Sequence, residues 1–93
     1  MGEVTLRGKS LAAIARDVAE GYFFVTPLVL KKFDPEAYKD LYFTFLKLQK
    51  EIRGEQPPAH AVAEIRKRAM RLQRLANAIV VLAHTAREKR IPL

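Results

Sequence analysis

Hydrophobic positions recur along most of this chain at steps of three and four, the spacing that lines one face of an α-helix. The pattern runs longest between Pro58 and Arg90. There Val62, Ile65, Ala69, Leu72, Ala76, Ile79, Ala83 and Ala86 make one seam, in which smaller residues alternate with larger ones. Such a seam lets a second helix approach closely, layer by layer, and suits an antiparallel partner. One helix from Pro58 to Arg90 is predicted.

Two more helices precede it. The first starts at Ser10, whose hydroxyl can accept a bond from an unpaired amide of the first turn, and carries Leu11, Ile14, Val18, Tyr22 and Val25 as its apolar stripe. Gly21 falls inside it, weakening it by roughly 1 kcal/mol relative to alanine and marking a close helix crossing. Pro27 then kinks or breaks the helix, with Thr26 capping a short continuation through Lys32. The second helix opens on Asp34-Pro35-Glu36, a capping aspartate, a proline tolerated at the first position and an acid at the positive end of the dipole. It buries Tyr38, Leu41, Phe45, Leu48 and Ile52, runs to Arg53 and ends on Gly54 as a left-handed cap.

The connector Glu55-Gln56-Pro57-Pro58 is short and stiff, which predicts an antiparallel hairpin of the second and third helices. At 1.5 Å per residue their lengths differ: about 28 Å against about 50 Å, leaving about 20 Å of the third helix beyond its partner. That far part holds the apolar run Ala78-Ile79-Val80-Val81-Leu82-Ala83, which a solvent-exposed overhang would not carry. Either the first helix folds back over it or a second chain covers it. Symmetric association is the commoner solution for a small protein, so a homodimer is favoured, with Ala76, Ile79, Leu82, Ala83 and Ala86 as its interface. The fold class expected is all-α: one domain over residues 1–93, a bundle of three main helices with the first kinked at Pro27, and residues 1–9 as a flexible or extended tail.

Composition narrows the chemistry. With no cysteine or tryptophan, disulfides and thiolate metal sites are excluded, and a reducing cytoplasm is the default compartment. The apolar run Tyr22–Leu30 is far shorter than the roughly 20 residues a membrane span requires, and the start of the chain has no secretory-signal pattern. Net charge is +7 and lopsided. Residues 1–55 hold nine Lys/Arg against eight Asp/Glu, whereas residues 56–93 hold eight against two. Within the basic block, Lys67, Arg71 and Arg74 share one predicted outer face, flanked by Arg66 and Arg68, a stripe able to track phosphates. All eight aromatics lie between Tyr22 and Phe45, away from that stripe, so base stacking is not expected there.

No catalytic constellation stands out. His60 and Glu64 are one turn apart without a third ligand, His84 is expected as a partly buried structural histidine, and the lone serine is best used as a cap. No metal or cofactor is predicted. The expected function is non-enzymatic: an interaction or scaffold protein working through helix–helix contact, homo-oligomeric or with a protein partner. The alternatives are a basic helical protein binding RNA or DNA phosphates, and a small enzyme with a site between subunits.

Overall fold

A computed structural model describes residues 5–6 and 9–93. The fold is all-α, as the spacing predicts. A two-residue antiparallel ladder, β1 (Thr5–Leu6) on β2 (Lys9–Ser10), leads into four helices: α1 (Leu11–Glu20), α2 (Pro27–Leu30), α3 (Pro35–Arg53) and α4 (Val62–Glu88). The tail expected over residues 1–9 is thus partly paired, and residues 1–4, 7 and 8 lie outside the described set.

The helix boundaries follow local chemistry. Ser10 and Thr26 cap α1 and α2, their hydroxyls accepting from the amides of Ala13 and Val29 at 3.2 Å each. Asp34 takes the extended backbone of a cap before Pro35, but its carboxylate makes no capping bond. Gly21 does not sit within a helix. It ends α1 at φ 83, with its own amide bonded to the Val18 carbonyl and the Tyr22 amide to that of Asp17, the paired arrangement that closes a helix through a left-handed residue. Gly54, in contrast, is right-handed at φ −74. A side chain closes that helix instead: the Arg68 guanidinium donates to the Ile52 carbonyl at 3.1 Å and to the Arg53 carbonyl at 3.0 Å.

That contact fixes the register of the hairpin. With Arg68 level with the last turn of the nineteen-residue α3, the antiparallel stretch of α4 from there to Ala86 matches its whole length. The overhang is therefore at the other end of α4 from the one expected. Residues Val62–Lys67, about 9 Å of helix, project past the end of α3. The connector is longer than four residues, since a turn at Ala59–His60, closed by the Ala61 amide on the Pro58 carbonyl, precedes the helix, which starts only at Val62.

The far half of α4 is covered from within the chain. α1 packs against both α3 and α4, and α2 packs against α4. The core so enclosed contains Ile14, Val18, Leu30, Tyr38, Leu41, Phe45, Ile52, Leu75 and Leu82. The Tyr38 hydroxyl, fully buried, donates to the Leu30 carbonyl at 3.0 Å and ties α2 to α3. Folding back of the first two helices, made possible by the break at Gly21–Thr26, is the alternative that the structure adopts.

Candidate functional site

The buried face of α4 is Arg68, Arg71, Leu75, Ala78, Leu82 and Thr85, again at steps of three and four but displaced by one residue from the seam read in the sequence. One residue is about 100° of helix rotation. Of that seam, Val62, Ile65, Ala69, Leu72, Ala76, Ile79 and Ala83 consequently lie at the edge of the core, and only its last member, Ala86, lies in it. Val62 is 54% exposed and Ile65 40%, Ala69 and Ala76 are exposed, and Leu72, Ile79 and Ala83 are half-buried. Val80, 67% exposed, widens the same stripe. Every α4 position from Val62 to Ala83 that falls within this arc of about 100° is apolar. The stripe is about 32 Å long, and among the described residues nothing buries Val62, Ile65, Ala69, Ala76 or Val80 along its outer side.

Neighbouring elements define its edges. Arg71, Arg74 and Ala78 face α1, so the stripe flanks α4 on the side toward α3, away from α1. By helical position, Tyr42 and Leu46 of α3 border it, half-buried and exposed respectively. Of the five residues expected at a dimer interface, Leu82 and Ala86 are enclosed in the chain's own core, while Ala76, Ile79 and Ala83 keep open surface. The exposed residues that matter most, Val62 and Ile65, lie in the overhang at the opposite end.

The basic block is divided between structure and solvent. Arg71 is half-buried, its Nε 3.3 Å from Glu20 and its Nη1 3.2 Å from Glu55. The first contact is an ion pair without hydrogen-bond alignment, so attraction between charges, not directionality, holds Arg71 to the end of α1. Arg74 donates to the Ala19 carbonyl at 3.0 Å. Together with Arg68, these side chains place positive charge at the negative ends of α1 and α3, where it offsets the helix dipoles and satisfies terminal carbonyls. Two of the three residues expected to bind phosphate, Arg71 and Arg74, are therefore turned inward and engaged. Lys67 alone of that trio is exposed. The signal for this was in the sequence: Arg68 and Arg71 extend the period of Leu75, Ala78 and Leu82 toward the start of the helix.

The histidines stand apart. His60 and Glu64 are both exposed, and His84 lies on the outer face with its Nε2 3.1 Å from Glu88, not partly buried as expected. Among the described residues no three metal-ligating side chains converge. Two shallow hollows, of about 180 Å³ between α1 and α3 and about 110 Å³ beside Arg74, are smaller than the roughly 300–1,000 Å³ of ordinary ligand pockets. No helix among the described residues is long and apolar enough to cross a membrane. Compared with family models, with curated proteins and with solved structures, the chain matches none.

Proposed function

We propose that this protein is a non-enzymatic interaction module that receives a helix of another polypeptide along the Val62–Ala83 stripe of α4. The carrying observation is an uninterrupted apolar stripe, partly open, on a helix whose adjoining side already fills a core. An exposed apolar surface of this extent marks association sites on small soluble domains. Its alternation of small and large residues offers a facing helix both close approach and layers to fill. Arg68, Arg71 and Arg74 support the reading indirectly: by clamping α4 to the ends of α1 and α3, they hold the stripe rigid before any partner arrives, which lowers the entropy lost on binding.

Phosphate binding, the second reading, keeps only Arg66 and Lys67 as outward-facing members of its block. A gel shift at low and high salt measures what they can hold. The first reading is tested by Ala69→Glu together with Ala76→Glu. Both sites are exposed, so the helical circular dichroism and the unfolding midpoint should stay within a few degrees of the parent (about 3 °C). Binding of helical ligands selected against the parent should fall by at least about a hundred-fold, since each carboxylate would be desolvated. Undiminished binding by the double variant would remove the stripe from the mechanism.

A further inference from the structure

We infer that the occupant of the stripe is an amphipathic helix with acidic borders, supplied by a different polypeptide and not by a second copy of this chain. The inference rests on the proposed docking function and adds the chemistry of the partner. Among the described residues, the exposed basic side chains around the stripe are Lys39, Lys50 and Arg53 on α3, with Arg66 and Arg87 toward the two ends of α4. Helical position puts all five at its borders; of the exposed acids on the two helices, Asp40 and Glu51 fall on the opposite flank of α3, Glu36 about 40° of rotation beyond Lys50, Glu64 about 60° outside the stripe on α4, and Glu88 is paired with His84. None of the five has an ion-pair partner among the described residues. Arg71, on the inner side of the same helix, has two.

The apolar floor is thus edged by cations left without carboxylates, and charge of one sign along a border selects its opposite in a partner. An antiparallel symmetric dimer through this face would set each border against an identical one, bringing like charges together, and a parallel one would set the Lys39–Lys50–Arg53 border against one that supplies no free carboxylate, between two chains of net charge +7. A helix carrying Glu or Asp beside its apolar face meets Lys39, Lys50 and Arg53 along the α3 border and Arg66 on the other. The open length fits a helix of about 21 residues.

The probe is a pair of display libraries of helices about 21 residues long, with the apolar face varied among Ala, Val, Leu and Ile and the borders fixed as Glu in one and Lys in the other. The whole chain serves as bait. We expect ligands from the Glu library enriched at least about ten-fold over the Lys library, with the preference shrinking between about 50 and about 300 mM salt. Exchanging Lys50 and Arg53 for Glu should reverse the preference, and Ile65→Glu should abolish capture from both libraries. Equal enrichment from both, abolished by Ile65→Glu, would overturn the acidic partner and leave the docking surface standing. Absence of enrichment from either would overturn both. A chain that is dimeric by light scattering, and made monomeric by Ile65→Glu, would assign the stripe to a second copy and overturn the inference.

Discussion

Truncating Leu75 to alanine measures whether the buried phase of α4 is the one that holds the fold together. Leu75 has no exposed surface and lies at the middle of the buried arc. Removing three buried carbons costs about 2–5 kcal/mol, the upper part of the range applying where the surroundings cannot collapse into the space. Here Arg71 and Arg74, in the turn before Leu75, anchor α4 to the end of α1, which restrains collapse, so a loss of about 3–4 kcal/mol is expected. Against the roughly 5–14 kcal/mol that a domain of this size has in total, that is a large fraction. It corresponds to a fall of roughly 15 °C or more in the unfolding midpoint. Leu72→Ala deletes the same atoms from a half-buried site and should cost about half as much, ~1–2 kcal/mol; Ile65→Ala, at an exposed site, should cost under ~1 kcal/mol. Urea unfolding followed by helical circular dichroism, with a common slope, gives all three values. If Ile65→Ala costs as much as Leu75→Ala, the core lies on the other seam and Leu75 does not mark the buried face of α4.

Gly21→Ala should destabilise by about 1–3 kcal/mol, because a left-handed residue gains a side chain and its Cβ would come 3.1 Å from the Arg74 guanidinium, displacing the bond to Ala19. Asn at the same position should recover part of the loss in thermal unfolding. Tyr38→Phe removes a buried hydrogen bond, but the Leu30 carbonyl keeps the Phe33 amide at 3.0 Å, so urea unfolding should show a loss of about 1 kcal/mol and not the larger cost of an orphaned carbonyl. Thr85→Val should raise the unfolding midpoint, by a few degrees for a gain of about 1 kcal/mol, since the buried Thr85 hydroxyl has no hydrogen-bond partner and a methyl fills its place.

The sequence is most informative where one residue type has one strong reason to be where it is. Ser10, Thr26 and the Pro35 start of α3 mark boundaries because capping and the missing proline amide are local effects. Gly21 and Gly54 show the limit of that logic. Each is able to end a helix, and which does so depends on distant groups: α3 is closed by the guanidinium of Arg68, sixteen residues away, so Gly54 is relieved of a left-handed turn. The phase of α4 escapes the hydrophobic pattern for a related reason. Ala69, Ala76 and Ala83 count as apolar in a periodicity, yet an alanine buries little surface and barely fixes which side of a helix faces inward. Leu75 and Leu82 hold the real phase, and it continues into Arg68 and Arg71, residues that a hydrophobic pattern scores as solvent-facing. Their spacing continues the period of Leu75 and Leu82, but what selects charged residues for those inner positions is the need of two helix ends for positive donors, a property of the assembled fold.

The same two features make the open end of α4 its least protected part, and this leads to a measurement on the unmodified chain. Ala61 precedes the helix without a side-chain cap, so the first amides of α4 lack the partner that Ser10 gives to α1. Residues Val62–Lys67 also have no α3 turn opposite them, and local opening there exposes little surface that was not already in water. Amides of Ile65–Lys67 should therefore exchange through local fraying, whereas those around Leu75–Leu82 should open only with the whole domain. The gap should approach the full unfolding free energy, several kcal/mol or about a thousand-fold or more in rate. Hydrogen exchange read residue by residue decides it. A helix docked on the stripe would bridge both regions, so saturating an acidic ligand should slow the Ile65–Lys67 amides far more than those near Leu82. Uniform protection along α4 in the free chain would mean that the overhang is held by contacts beyond those of α1 and α3, and the stripe would then not be a surface waiting to be covered.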